Sequence, residues 1–85
     1  LNNRADIMVR QGDLEGALRD TTRAIELEPT DSAPYTTRGE AHTAAGNYEQ
    51  ALADFDRALG LLPAGSPQAR AIADLRRQAE EASRR

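Results

Sequence analysis

Apolar residues recur at helical spacing in two stretches of the chain. From Tyr48 to Leu62 they lie at i, i+3, i+4, i+7, i+10, i+11 and i+14, with polar residues at most positions between them. From Leu14 to Ile25 the same stripe recurs, with Thr21 at one of its apolar positions. This spacing is typical of an amphipathic helix that buries one face, so each stretch is predicted to be a helix.

Turn and capping signals delimit these two helices and indicate three more. A glycine followed by Asp13 or Asn47 precedes each stripe, and both residue types cap helix N-termini. Pro29 and Pro63 follow the stripes, and a proline disfavours helical backbone in the residue before it. Ser66 precedes another proline and is predicted to cap a terminal helix. We predict an all-α fold of five helices over residues 2–11, 14–27, 32–45, 48–61 and 66–83.

The two stripes belong to a repeat with a period of 34 residues. When residues 1–31 are placed on 35–65, ten positions are identical, and Pro29 and Pro63 form the last of these pairs. A period in this range is typical of a solenoid, in which each unit buries its apolar face against a neighbour. Solenoids present an extended concave surface, so the pattern favours binding over catalysis. The terminal helix is expected to cover the apolar side of residues 48–62 with Ile72 and Leu75.

The second unit carries a spaced pattern of small, aromatic, basic and proline residues. These are Tyr35, Arg38, Gly39, His42, Ala51, Phe55, Ala58 and Pro63. The first unit has the same residue at four of these eight places, Arg4, Ala17, Ala24 and Pro29, and has Thr21 in place of Phe55. This pattern resembles the tetratricopeptide repeat. The resemblance implies a right-handed superhelix of helical hairpins that binds proteins or peptides. It also implies a single domain over residues 1–85, made of repeat one (1–31), repeat two (32–65) and a capping helix (66–85).

The resemblance implies an inner surface made by the first helix of each unit and the terminal helix. Asp6, Glu40 and Asp74 fall in one column at the repeat period, and an acidic column favours a partner that carries arginine, lysine or a free amino terminus. The alternative is that these are solvated polar residues without a ligand, which is ordinary for charged surface residues. The candidate peptide-binding residues are Asn2, Asp6, Val9, Arg10, Thr36, Glu40, Thr43, Arg70, Asp74 and Arg77.

One subclass of the resembled family holds the C-terminal carboxylate of chaperones with basic and amide side chains. The corresponding places here are Asn2, Asp6, Thr37, Pro67 and Ala71. None of them is lysine or arginine, and the carboxylate of Asp6 would repel a second carboxylate. We therefore expect that this chain does not bind chaperone tails.

Two arginine–aspartate pairs recur with the period. Arg4 with Asp20, and Arg38 with Asp54, would each join the two helices of one hairpin, so we predict an ion pair within each repeat; a role in ligand binding is the alternative. His42 is the single histidine. A metal site or a catalytic triad needs further ligands or a nucleophile beside it, so we expect a histidine in the core or at the edge of the groove.

Composition disfavours several classes of function. The net charge is −3, which disfavours nucleic acid, because non-specific binding of nucleic acid depends on neutralising phosphates. Cysteine is absent, which excludes thiol chemistry, and no apolar run is long enough to span a membrane. No constellation of catalytic residues or cofactor ligands is present, so we predict that the chain is not an enzyme and uses no cofactor.

The sequence thus predicts a protein–protein interaction module, a scaffold element that binds a peptide or a helix in its concave groove. The alternative is a purely architectural or self-associating segment of a longer solenoid. The expected partner is a protein or peptide, with basic residues, and neither nucleic acid nor a membrane. Because the chain begins without methionine and inside a repeat unit, we interpret it as a fragment. Its localisation stays open, with the cytoplasm favoured.

Overall fold

The computed structural model describes Val9 and residues 11–85, and these residues form helices without any strand. The helices are α1 (Leu14–Leu27), α2 (Ser32–Ala45), α3 (Tyr48–Gly60) and α4 (Pro67–Ser83). The predicted all-α fold is confirmed for this part of the chain, and each of the four helices lies within one residue of its predicted bounds. Four helices are found where five were predicted, and the remaining predicted helix, over 2–11, lies outside the described residues except for Val9 and Gln11.

Side-chain caps begin three of the four helices. Asp13 and Ser66 each accept a hydrogen bond from the backbone N–H three residues further on, at 3.0 and 3.2 Å. Asp31 caps α2 by accepting from the N–H two residues on, at 3.1 Å. Asn47 stands at the N-cap position of α3, but its side chain makes no capping hydrogen bond there. Gly46 ends α2 with φ of 81°, a left-handed conformation that glycine adopts without strain.

Consecutive helices pack on one another and enclose a small core. α2 packs against both α1 and α3, while α4 packs against α3 and also touches α2. The expected cover of the α3 stripe by the terminal helix is confirmed, because Ile72 is buried and Leu75 is partly buried against it. The main cluster of buried residues is Tyr35, Ala51, Phe55, Ala58, Ile72 and Ala79.

The contact between α2 and α3 depends on a glycine. Phe55 on α3 is only 1% exposed. A Cβ atom placed on Gly39 would lie 2.6, 2.8 and 2.9 Å from three carbons of its ring, which is closer than side-chain carbons approach one another. The ring therefore packs directly on the backbone of α2, at a place where any side chain would displace it.

A partly buried ion pair lies beside this contact. Arg38 donates from Nε and Nη2 to the two carboxylate oxygens of Asp54, at 2.9 and 2.8 Å, and its guanidinium carbon lies 5.7 Å from the centre of the Tyr35 ring. The predicted pair within the second repeat is confirmed. The matching pair of the first repeat involves Arg4, which lies outside the described residues, so that pair stays a prediction.

His42 joins the same cluster from the next turn of α2. Its Nε2 lies 3.8 Å from the Asp54 carboxylate, and its Nδ1 is buried without a hydrogen-bond partner among the described residues. Burial lowers the pKa of His42 below its ordinary value; Asp54 opposes this effect and the positive charge of Arg38 adds to it. The imidazole is thus held neutral near neutral pH. Its side chain is partly buried, which fits the sequence-based expectation of a histidine in the core or at the edge of the groove.

An exposed ion-pair network ties α4 to α3. Arg76 donates to Asp56 at 2.6 Å and to Glu80 at 3.0 Å. Such solvent-exposed pairs contribute about 0–1 kcal/mol, so the contact between α3 and α4 depends mainly on the apolar cluster beneath them.

Replacing Gly39 with alanine should lower the free energy of unfolding by about 1–3 kcal/mol, because the new methyl group overpacks against the Phe55 ring. Gly60 is the matched control, since it ends α3 and no atom lies within 4 Å of the place that a Cβ would take there. Gly60→Ala should leave stability unchanged or raise it by up to about 1 kcal/mol. Urea denaturation followed by circular dichroism measures both, and equal stabilities for the two variants would contradict the prediction.

The free energy of unfolding should decrease in acid through His42. Because the folded state lowers the pKa of His42, the unfolded chain takes up this proton at a higher pH than the folded chain. The contribution of neutral His42 to the free energy of unfolding is therefore fully present above about pH 6.5. It is lost as the pH falls through the lower folded-state pKa. Urea unfolding at about pH 7.5 and pH 5.5 should show this decrease, and His42→Gln should reduce it, since no other histidine titrates there. An equal decrease in both proteins would refute the assignment.

Candidate functional site

A concavity of about 240 Å³ opens between α2 and α4. We call it the α2–α4 groove. Its lining comes from the segment before α1, from one side of α2, from the ring on α3 and from α4, so four separate parts of the chain meet there. The lining residues are Val9, Glu40, Thr43, Ala44, Phe55, Leu75 and Gln78.

The floor and walls of the groove are mostly apolar. Phe55 lines the groove and is almost fully buried, so we take it as the floor. Val9 and Leu75 are partly buried, while Ala44 is exposed. An apolar side chain placed in the groove would therefore lose contact with water on several sides at once.

The rim supplies polar groups. Thr43 donates its hydroxyl hydrogen to the carbonyl of Gly39 at 2.8 Å, so this hydroxyl is already bound within α2. Glu40 is half-buried and Gln78 is exposed on the facing helix. The rim thus presents a carboxylate from α2 and an amide from α4 on the two sides of an apolar floor.

The structure brings together some of the predicted site residues and separates others. Val9, Glu40 and Thr43 line the groove together. The other described candidates do not line it. Asn2, Asp6 and Arg10 lie outside the described residues, so their predicted roles stay untested.

The candidates outside the groove have local partners or face solvent. Thr36 donates to the carbonyl of Ser32 at 3.2 Å within the first turn of α2. Asp74 and Arg77 are both exposed and pair with each other at 3.5 Å. Arg70 is exposed in the first turn of α4. Of the two described members of the expected acidic column, Glu40 lines the groove and Asp74 does not.

Four groove residues were absent from the candidates read from the sequence, namely Ala44, Phe55, Leu75 and Gln78. The sequence assigned Phe55 and Leu75 to the core, which is correct but incomplete. A signal was present for Leu75, because it is one of the two large aliphatic residues in the terminal helix. Ala44 and Gln78 carry no distinguishing signal, since only the approach of α2 to α4 places them at the groove.

Two other hollows have a different character. One, of about 430 Å³, lies at the turn between α2 and α3, and another, of about 470 Å³, lies along α1. Their linings are mainly exposed polar and charged side chains, without a buried aromatic floor. In the described part of the chain, no three histidine, cysteine or acidic residues are grouped as a metal site would require. No described helix has the length and apolar character needed to cross a membrane.

Comparison with known proteins gives a family match over both repeat units. The family model of the tetratricopeptide repeat matches residues 1–31 and 32–64. The chain is 37% identical over 62 residues to the protein SGT1 homolog of Bos taurus, across 73% of this chain and 18% of that protein. It is 31% identical over 62 residues to the DnaJ homolog subfamily C member 7 homolog of Dictyostelium discoideum, across 73% of this chain and 12% of that protein.

A similar short stretch occurs in an enzyme. The chain is 39% identical over 54 residues to the serine/threonine-protein phosphatase T of Aspergillus oryzae, across 64% of this chain and 11% of that protein. The chain spans less than a fifth of the length of each of these three relatives. What they share with it is the pair of helical repeats, and on the match to both units the chain belongs to the tetratricopeptide repeat family.

Proposed function

We propose that this chain is a protein–protein interaction module that binds an extended peptide or a helix of its partner in the α2–α4 groove. Tetratricopeptide repeats are generally protein-interaction modules, and they stack to give concave binding surfaces. The observation that carries the proposal here is the apolar floor of Phe55, flanked by Val9 and Leu75, inside a polar rim. An apolar hollow with a few polar groups around it is the usual form of a binding site.

The partner segment would anchor itself with one apolar side chain. Burial of such a side chain contributes about 1.5–3 kcal/mol, which alone gives weak binding. Further affinity would come from contacts of the partner backbone with the rim, where the exposed amide of Gln78 can both donate and accept hydrogen bonds. Binding by so small an array is therefore expected to be weak and to depend on more than one contact.

A basic residue next to the anchor would suit the charge of the rim. Glu40 lines the groove, and a carboxylate has about four acceptor positions, so it can bind a cation in addition to a partner within the protein. On α4, Arg77 lies 3.5 Å from Asp74 and 3.3 Å from Glu81, so two carboxylates share one guanidinium there. Both features favour a cationic partner over an anionic one.

The same reasoning disfavours chaperone tails as partners. Thr37 is buried, and Pro67 and Ala71 are exposed but carry no charge. The described places at which a related carboxylate site would need cations thus provide none. The resemblance to a DnaJ homologue therefore does not by itself extend to a ligand.

The outer face of α4 bears on the architectural alternative. Its exposed residues include Arg70, Asp74, Arg77 and Glu81. The exposed apolar residues of α4 are small, namely Pro67, Ala71 and Ala73, so a further hairpin would find little apolar surface there. Terminal repeats of solenoids have such polar outer faces. This favours the binding role over continuation of the stack beyond α4. A non-enzymatic role, a cytoplasmic location and the division into two repeats with a capping helix belong to the same proposal.

Filling the groove should abolish binding without unfolding the protein. Ala44 is exposed on α2 and lines the groove, so Ala44→Arg places a long cationic side chain inside it. A library of short displayed peptides selected on the unmodified protein should yield sequences with an apolar residue beside lysine or arginine. The variant should bind these selected peptides at least about tenfold more weakly by calorimetry, a loss of about 1.4 kcal/mol.

The control for this experiment is Ala53→Arg. Ala53 is an exposed alanine of α3 that does not line the groove, so the variant has the same composition and the same net charge. It should bind the selected peptides as the unmodified protein does. Selection of no consensus, or equal binding by the two variants, would count against the groove as the site.

Reversing the charge at Glu40 should weaken the binding of basic peptides. Glu40→Lys replaces attraction by repulsion at the rim, which should cost on the order of 1 kcal/mol at low salt and less at high salt. Glu28→Lys is the matched control, because Glu28 is exposed after α1 and away from the groove. If Glu40→Lys binds basic peptides as tightly as Glu28→Lys, the acidic rim is only a solvated surface.

A further inference from the structure

We infer that Phe55, held in place by Gly39, sets the depth of the α2–α4 groove and thereby determines the size of the partner's anchor side chain. The expected occupant is a partner segment that carries one aliphatic side chain beside a basic residue. This inference rests on the proposed function, and it assigns the specificity of the site to one buried ring.

The first ground is that the Phe55 ring, which forms the floor, cannot move closer to the backbone of α2. Three ring carbons of Phe55 lie within 3 Å of where a Cβ on Gly39 would stand, so the ring already occupies the space that a side chain on α2 would take. On its other sides it belongs to the cluster that contains Ala58, Ile72 and Ala79. Protein interiors are close-packed, so the height of the ring is determined by these neighbours.

The second ground is that the ring lines the groove. Phe55 is 1% exposed and borders the concavity together with Leu75 and Val9. A methyl group added at Gly39 must displace the ring from α2, and because the ring borders the groove, this displacement would raise the groove floor. A shorter side chain at position 55 would instead lower the floor.

The third ground is that the first repeat has no equivalent floor residue. Thr21 holds the position that corresponds to Phe55 and is fully buried. Its hydroxyl donates to the carbonyl of Ala17 at 2.7 Å, so it is bound to its own helix. An aromatic floor is therefore a property of the second unit, where it meets α4, and the anchor site is placed there.

The charge at the rim selects the residue beside the anchor. Glu40 is the acidic residue of the lining, and Thr43 and Gln78 are neutral. A lysine or arginine that follows the anchor in the partner can reach this carboxylate, whereas an acidic residue would be repelled by it. The aliphatic anchor and its basic neighbour thus match the floor and the rim respectively.

The test uses defined peptides on the folded chain. A set of short peptides of serine and lysine has one variable central residue, which is alanine, valine, leucine or phenylalanine. Their dissociation constants are measured for the unmodified protein, Gly39→Ala, Phe55→Leu and the control Gly60→Ala, with circular dichroism confirming that each variant is folded at the temperature used. Labelled methyl groups of Leu75 report by NMR whether the peptide enters the groove.

The unmodified protein and Gly60→Ala should bind the leucine peptide more tightly than the alanine peptide by about tenfold or more, since each methylene in an apolar pocket contributes to discrimination. Gly39→Ala should lose most of this preference, because the raised ring leaves room only for a small anchor. Phe55→Leu should shift the preference from leucine to phenylalanine. The Leu75 methyl signals should move with every peptide that binds.

Failure of the proposed function can be distinguished from failure of the inference about Phe55. If the unmodified protein binds none of these peptides and the Leu75 signals do not move, the proposed function fails and the inference with it. If the unmodified protein binds and discriminates among them but the two substitutions keep its order of preference, the groove is a site and the role of Phe55 is overturned. Should Phe55→Leu fail to fold, Phe55→Met replaces it, because methionine conserves more of the volume and still removes the ring.

Discussion

Contact between the ring of Phe55 and the bare backbone of Gly39 holds α2 and α3 at the separation on which the rest of the described structure depends. The residues just before them, Arg38 and Asp54, form the partly buried ion pair of the same hairpin. A ring contact and a bidentate ion pair therefore stand side by side between two helices. The ring sets how closely the helices approach, and the planar guanidinium on a carboxylate restricts how they can rotate or slide.

This arrangement suits a core with few large side chains. Apart from Phe55 and Pro34, the fully buried apolar residues in the described part of the chain are alanines such as Ala17, Ala41 and Ala51, which contribute little area each but let helices pack closely. A chain of this size buries a smaller fraction of its surface than a larger domain does, so one aromatic ring contributes a large part of its core packing. The first unit, with Thr21 at the same place, lacks that ring and differs from the second in what it can present at its inner surface.

Much of the fold could be predicted because its signals are local. Helix bounds followed from prolines, glycines and caps, and the pair of Arg38 with Asp54 followed from the repeat. The acidic column stays a prediction, since Asp6 lies outside the described residues. It assumed that α4 continues the geometry of the repeats; in the structure Asp74 pairs with Arg77 on an exposed face of α4 and does not line the groove. The groove could not be predicted, since a buried ring such as Phe55 becomes a floor only through the long-range approach of α2 to α4.

Helix α4 contributes both to the core and to the candidate site. On α4, Ile72 and Ala79 are buried against α3, while Leu75 and Gln78, which lie between them in the sequence, reach the groove. Residues three and four apart on a helix lie on adjacent parts of one surface, so a single helix can face the core and the groove at once. The helix that covers the α3 stripe is thus also one wall of the candidate site. Two helical repeats alone would leave the α3 stripe exposed; with α4 in place, the same apolar surface becomes partly core and partly the floor on which a partner side chain can be buried.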